Sequence, residues 1–205
     1  MTRLLVVLLA AGCSQSSPGF GTGTLFVNAT VEGKPESTLV NAEVKLRGTD
    51  LTGANVVVKN VETGATTNLE ARRGGYRAQL SGYVRTIHLS ITSGDDQLEA
   101  QLAGPSAHVI TRPPNNAIVR RGDGDVLGVE WEADGPAEAV VLDLRGIDPI
   151  RLDRDLMSHD VPLGGLDNGD QTIEVRRENR IELAGGTEGS QMTIAYTVDN
   201  RFTLE

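Results

Sequence analysis

The sequence has one cysteine, few aromatic side chains and a deficit of basic residues. Of its 205 residues 3% are aromatic, one is Trp, and the formal net charge is -9. A single cysteine excludes an intrachain disulfide. The acidic balance argues against nucleic-acid binding, which requires a basic face. Beyond the N-terminus no apolar run approaches the roughly 20 residues of a membrane-spanning helix.

The chain does contain many short runs rich in Val, Ile and Thr, separated by Gly, Pro, Asn and Asp. Apolar and polar residues alternate along these runs, as in the run from Leu25 to Val31, and this is the pattern of strands with one buried face. The alternation predicts an all-β protein built from two tandem β-sandwich domains. Trp131, which lies in such a run, is predicted to be a core residue of the second domain.

The N-terminal segment predicts export and lipid attachment. Arg3 precedes an apolar run, residues 4–12, which ends in Ala11 and Gly12 directly before Cys13. A basic start, a short apolar core and a small-small-Cys end resemble the signal sequence of bacterial lipoproteins. The resemblance implies that the chain is cut before Cys13, that the Cys13 thiol is acylated, and that the lipid anchors the protein. Ser14, in place of Asp, implies the bacterial outer membrane as the localisation.

Composition divides the chain into four segments. The paired prolines at Arg112-Pro113-Pro114 mark a domain boundary, because proline interrupts strand pairing. The second domain is the acidic one, with 19 acidic and 10 basic side chains. The predicted segments are a signal peptide (1–12), a flexible Ser- and Gly-rich tether with the lipidated cysteine (13–23), a first sandwich (24–111) and a second, acidic sandwich (112–205).

Parts of both domains resemble known modules. Residues 54–58 (Ala-Asn-Val-Val-Val), 63–67 (Thr-Gly-Ala-Thr-Thr) and 74–78 (Gly-Gly-Tyr-Arg-Ala) are similar to carboxypeptidase-regulatory-like, or transthyretin-like, modules. This resemblance implies an Ig-like or prealbumin-like sandwich of the kind that serves as a spacer, assembly or adhesion domain, and it does not by itself imply an activity. The second domain, with Val-Glu-Trp at 129–131 and Ile-Ala-Tyr at 194–196, is similar to bacterial Ig-like or fibronectin-type modules.

Calcium is the one cofactor for which the sequence offers candidates. Two acidic loops, 123–125 and 167–170, contain glycine, and calcium prefers several oxygen ligands on flexible loops. Neither loop has the twelve-residue EF-hand spacing, and Asp-Gly and Asn-Gly are also common hairpin turns. The sequence therefore predicts turns without a metal or other cofactor, and leaves calcium as the alternative. The candidate ligands are Asp123, Asp125, Asp167, Asn168 and Asp170.

Catalysis finds little support in the sequence, and we predict that the protein is not an enzyme. A Ser-His-Asp triad requires three side chains that converge in space. Ser158, His159 and Asp160 are adjacent, so in a strand they point to alternate faces. No Gly-x-Ser-x-Gly elbow is present. A hydrolase that uses His88, His108 or His159 is the least favoured alternative.

The remaining charged side chains are predicted to be solvated. Three basic pairs are isolated and matched by carboxylates, which is typical of surface charge: Arg72-Arg73, Arg120-Arg121 and Arg176-Arg177. A cluster of acidic residues and one histidine is predicted to be solvated, with partial pairing to Arg151 and Arg154. Its members are Asp153, Asp155, His159 and Asp160.

These observations predict a lipid-anchored envelope protein that acts as a non-enzymatic structural or protein-interaction component of a cell-surface or periplasmic assembly. Its expected partners are the membrane, through the lipid on Cys13, and another envelope protein, contacted by exposed strand edges and loops. The alternative is a carbohydrate- or peptide-binding module, with or without calcium. The scarcity of aromatic residues counts against sugar stacking.

Overall fold

The computed structural model describes residues 16–121 and 126–205, and the regular structure in these ranges is almost entirely β. The all-β class predicted from the alternating pattern is confirmed. One 3-10 turn, Leu163–Gly165, follows β16. The strands are β1 (Ser17–Gly21), β2 (Leu25–Lys34), β3 (Ser37–Leu46), β4 (Thr49–Asp50), β5 (Asn55–Asn60), β6 (Thr66–Asn68), β7 (Glu70–Arg72), β8 (Gly75–Ser81), β9 (Thr86–Ser93), β10 (Asp96–Ala103), β11 (His108–Arg112), β12 (Ala117–Val119), β13 (Val126–Ala133), β14 (Ala139–Leu144), β15 (Ile150–Leu152), β16 (Ser158–Pro162), β17 (Gly169–Glu182) and β18 (Gln191–Leu204).

The strands form three sheets. The large sheet has the order β15-β14-β17-β18-β2-β3-β8-β7. In addition, β4 pairs with β3 and β12 pairs with β18. A five-stranded sheet has the order β1-β10-β9-β5-β6, and a three-stranded sheet the order β11-β13-β16. Strand β18 pairs with β2 in parallel, from Gln191 opposite Asn28 to Tyr196 opposite Gly33. This pairing joins the C-terminal part of the chain to the strand that opens the first predicted sandwich.

The large sheet covers two hydrophobic cores. The first core lies between its β2-β3-β8 part and the five-stranded sheet, and includes Leu25, Val40 and Leu89. The second lies between its β14-β17-β18 part and the three-stranded sheet, and includes Leu142 and Trp131. The predicted core position of Trp131 is confirmed, since its side chain is 1% exposed. Burial of these apolar side chains is the main force that holds the sheets together.

The β17–β18 hairpin belongs to both cores. Its two 14-residue strands pair in one unbroken register. Near one end Ile173 and Val175 lie in the second core, and near the other Ile181 and Met192 contact the first. The division at residues 111 and 112 stays a prediction. The structure adds that one continuous sheet covers both cores, and that β11, which crosses the predicted boundary, pairs with β13 of the second core.

The segment whose composition predicts a flexible tether contains strand β1. This strand pairs with β10, and the carbonyl of Pro18 accepts a hydrogen bond from the amide of Ala184 at 3.1 Å. Gly21 and Gly185 permit the close approach, because a Cβ atom on either residue would overlap the backbone of the other segment. Residues 17–21 are therefore ordered by backbone hydrogen bonds, which the Ser- and Gly-rich composition does not reveal.

Candidate functional site

Two of the three predicted calcium ligands that the structure describes, Asn168 and Asp170, are hydrogen-bonded through their side chains. The side-chain oxygen of Asn168 accepts a hydrogen bond from Arg121 at 2.7 Å, and Asp170 accepts one from Thr203 at 3.2 Å. Asp167 offers its backbone carbonyl to a Gln side chain. Across residues 16–121 and 126–205, no group of three or more His, Cys, Asp or Glu side chains is arranged to hold a metal ion. Three predicted site residues lie outside the described residues: Cys13, Asp123 and Asp125.

The three histidines lie in three separate places. His88 Nε2 lies 3.6 Å from the carboxylate of Glu99, on the outer face of β9 and β10. His159 is half-buried in β16, where its neighbours in sequence are exposed. His108 is 4% exposed, and its Nε2–H donates to the carbonyl of Val175 at 3.0 Å. Each of these described contacts is structural, and none joins a ring to a hydroxyl nucleophile.

Arg177 and Asp155 form an ion pair with both side chains 0% exposed. Arg177 Nε donates to Asp155 Oδ2 at 2.6 Å. The predictions that Arg177 is surface charge and that Asp155 is solvated beside Arg151 and Arg154 are therefore wrong. Successive side chains of a strand point to opposite faces, so Arg177 faces inward like Val175 two residues earlier. Val175 belongs to the second core, and Arg177 lies beyond it in the direction of the first core.

The buried pair is hydrogen-bonded on all sides. Asp155 also accepts from the indole Nε1 of Trp131 at 2.9 Å and from the amide of Ala137 at 3.0 Å. Arg177 also donates to the carbonyls of Ser106, at 2.9 Å, and Gly135. Burial raises the pKa of Asp155, but the hydrogen bonds from Ala137, Arg177 and Trp131 outweigh it and leave the pKa below its usual range. Each guanidinium nitrogen of Arg177 and each carboxylate oxygen of Asp155 thus has a hydrogen-bond partner, which is the condition under which buried charges are tolerated.

Aromatic rings extend this pair into a layer between the cores. The ring centroid of Tyr196 lies 4.4 Å from that of Tyr83 and 5.4 Å from that of His108. The hydroxyl of Tyr83 donates to the carbonyl of Pro105 at 2.7 Å. We call Tyr83, His108, Asp155, Arg177 and Tyr196 the junction cluster. It fixes the segment that links β10 to β11 against the β17–β18 hairpin, so its function is to hold the two cores together.

Acid is expected to destabilise the protein through His108. Burial, assisted by the charge of Arg177, lowers the pKa of His108 to about 4, whereas an exposed histidine has a pKa of about 6.5. The unfolded state therefore takes up a proton at a higher pH than the folded state. The contribution of neutral His108 to stability is complete above pH ~6.5 and is lost as the pH falls towards 4, by about 3 kcal/mol in all.

The measurement is urea denaturation of the wild type and His108→Gln between pH 7 and pH 4.5. Glutamine retains an N–H donor for the carbonyl of Val175 but does not titrate. We expect a clearly smaller loss of unfolding free energy in His108→Gln than in the wild type. His88→Gln, on the outer face of β9, is the matched control, and its unfolding free energy should change with pH as that of the wild type does. If the unfolding free energies of His108→Gln and the wild type fell equally with pH, His108 would not be the cause of the loss of stability in acid.

A polar groove of about 870 Å³ lies on the outer face of the large sheet. Strands β2, β3 and β8 form its floor, and β6, β7 and the turn at residues 73–74 form its wall. Register places Thr30 opposite Asn41, Asn41 opposite Arg77, and Arg77 opposite Glu70. At the strand spacing of about 4.8 Å, this row of four polar residues spans about 14 Å. We call this surface the sheet-face groove.

Gly75 shapes the wall of the sheet-face groove. Its φ is +145°, and a Cβ atom there would lie 2.5 Å from the carbonyl oxygen of Ala42 on β3. Only glycine combines this backbone conformation with so close an approach. Gly74-Gly75-Tyr76 belongs to the residues on which the sequence resemblance to transthyretin-like modules rests. These residues indicated a turn, but they did not indicate the groove beside it. The polar floor carried no distinct signal, because exposed strand faces are usually polar.

Two guanidinium groups of the groove remain without an acidic partner among the described residues. Arg72 pairs with Glu70 at 2.6 Å. Arg73 and Arg77 take part in none of the ion pairs of the described chain, although both line the groove. The groove therefore presents free positive charge on a protein whose overall charge is negative.

Comparison with known proteins adds little to this description. No family model matches the chain, and no curated protein matches it. A solved structure described as "Biofilm associated protein - BSP domain" is similar to this chain with a TM-score of 0.27 and 14% identity, over 88% of this chain and 29% of that one. The chain thus spans less than a third of that structure. Within the described ranges, no helix has the length and apolar character needed to cross a membrane.

Proposed function

We propose that this all-β chain is a lipid-anchored protein of the bacterial outer membrane that acts without catalysis, as a structural or protein-interaction component of an envelope assembly. The observation that carries the proposal is the short distance in sequence from Cys13 to the folded body. β1 begins at Ser17 and is hydrogen-bonded to β10 and to Ala184. Four extended residues span at most about 14 Å. A lipid on Cys13 would hold the body close to the membrane surface.

The body held in this way is suited to positioning a partner. One sheet passes through both cores, and the junction cluster ties the cores together with a buried ion pair. Domains joined by a flexible linker and a small interface move relative to each other, and this arrangement resists such motion. A rigid body at a short, fixed distance from a membrane supports a role in assembly. The engaged histidines of the described chain give a catalytic role no comparable support.

Replacement of Cys13 tests the proposal. We expect the full-length wild type to incorporate labelled palmitate and to sediment with membranes, because acyl chains supply the anchor. Cys13→Ser should lose the label and fall at least about tenfold in the membrane fraction, since no other anchor is proposed. Ser14→Ala is the matched control and should behave like the wild type. A wild type without label, or a Cys13→Ser variant that still resists extraction from membranes by high salt, would contradict the proposal.

A second candidate function, the binding of a carbohydrate or peptide, is favoured by one observation, the sheet-face groove. It has a volume of about 870 Å³, and a row of polar side chains crosses it. Binding there is compatible with the anchored role, because the groove uses none of the residues of β1 or of the junction cluster.

A further inference from the structure

We propose that the sheet-face groove binds an acidic polysaccharide, that is, a chain of sugars that carry carboxylates. The proposal deepens the second candidate function, on which it rests, and does not depend on Cys13. It rests on three features of the groove: the neutral polar floor, the unpaired guanidinium groups, and the lack of exposed apolar side chains along the lining.

The floor of the groove matches the hydroxyl groups of a sugar. Thr30, Asn41 and Gln79 present hydroxyl and amide groups that both donate and accept hydrogen bonds, as sugar hydroxyls do. Thr30 and Asn41 lie opposite each other on β2 and β3, about 4.8 Å apart, and Gln79 lies on β8 two residues beyond Arg77, which is opposite Asn41. Asn68 adds a further amide from the wall. An elongated ligand that lies across the strands meets a new polar side chain at each strand.

The charges of the groove select carboxylates. Glu43 is neutralised by Lys45 at 2.6 Å, and the hydrogen bond and charge of Glu43 raise the pKa of Lys45. Since Glu70 is paired with Arg72, the uncompensated charges that face the groove are those of Arg73 and Arg77. The planar guanidinium group matches a carboxylate with two parallel hydrogen bonds. The net charge of -9 disfavours binding of a polyanion in general, so binding requires a local excess of positive charge such as that of Arg73 and Arg77.

The lining favours a polysaccharide over a peptide. Most peptides are recognised by apolar pockets or by addition to a free strand edge, and acidic peptide motifs also by arginine clusters. In the groove Tyr76 is buried, and its hydroxyl accepts a hydrogen bond from the amide of Ala54 at 2.8 Å. Strands β3 and β8 on the floor are paired on both sides, and the edge strands of the wall, β6 and β7, are only 3 residues long each. Without an exposed aromatic ring for stacking in the groove, the expected binding is weak and falls as salt is added.

In the test, the full chain in detergent is titrated with galacturonic-acid oligomers, and binding is measured by calorimetry. We expect binding that weakens at high salt, and a much weaker response to neutral glucose oligomers of the same length. Arg73→Gln combined with Arg77→Gln should lower the affinity at least about tenfold, because two charge-assisted hydrogen-bonding groups are lost. Arg154→Gln, an exposed arginine on another surface without an ion pair in the described chain, is the matched control and should bind like the wild type.

Several results would overturn the proposal. These are no binding of galacturonic-acid oligomers by the wild type, equal affinity in the double Arg variant, or equal affinity for the neutral oligomers. Tighter binding of poly-glutamate than of the sugar acid would assign the groove to an acidic peptide. Asn41→Ala gives an independent check of the neutral floor, since it should weaken binding without a change in the salt dependence. The membrane fractionation of Cys13→Ser is independent of all these outcomes.

Discussion

Replacement of Asp155 by Ala is expected to lower the free energy of unfolding by about 3–5 kcal/mol, because the guanidinium group of Arg177 is left buried without a counter-charge. The indole N–H of Trp131 and the amide of Ala137 lose their acceptor at the same time. The measurement is urea denaturation at pH 7. Unfolding is monitored by circular dichroism, so that the signal does not depend on the altered surroundings of Trp131.

Two further variants make this result specific. Asp155→Ala combined with Arg177→Met should be more stable than Asp155→Ala alone, because the uncompensated charge is removed. Asp153→Ala is the matched control, since Asp153 is exposed and pairs with Arg151 only at 3.7 Å. Its expected effect is within about 0.5 kcal/mol. If Asp155→Ala were as stable as Asp153→Ala, the buried pair would not hold the cores together.

Replacement of Leu89 by Ala is expected to cost about 2–5 kcal/mol, because a fully buried side chain of the first core is removed and a cavity is left. For a protein of this size, each kcal/mol lowers the melting temperature by about 2–4 °C. The variant should therefore melt about 4–20 °C below the wild type. Ser90→Ala, on the opposite face of β9, is the control and should change stability by less than about 0.5 kcal/mol.

The strands of the first core were predictable because their signal is local. Residues 25–31, 87–91 and 98–102 alternate between apolar and polar side chains, and they lie within β2, β9 and β10. A period of two needs no knowledge of the partner strand. Strand β1 lacks this pattern, and its order comes from backbone hydrogen bonds to β10, so it could not be predicted from its own residues.

The junction cluster shows where local pattern fails. Arg177 continues the inward series of Ile173 and Val175 on β17. Arg176 beside it faces outward, so in the sequence the two arginines resemble surface charge. Its partner Asp155 lies 22 residues away, between strands and outside any alternating run. A charged residue at an inward position was the available signal. The identity of its counter-charge required the tertiary structure.

The sheet-face groove could not be predicted for a different reason. Thr30 and Asn41 occupy outward positions of alternating strands, where polar residues are expected whether or not a ligand binds. What distinguishes the groove is the wall that Gly75 allows to fold against β3, and the lack of acidic partners for Arg73 and Arg77. Both features depend on contacts between strands.

The central claim is that the two cores form one rigid body, as a role in positioning a partner at the membrane requires. The most direct measurement is the unfolding midpoint reported by the fluorescence of Trp131, the single tryptophan, in the wild type and in Leu89→Ala. Trp131 lies in the second core and Leu89 in the first. We expect the Trp131 midpoint to fall together with the hydrogen-exchange protection of β9. An unchanged Trp131 midpoint beside reduced protection of β9 would mean that the cores unfold independently, and would contradict the claim.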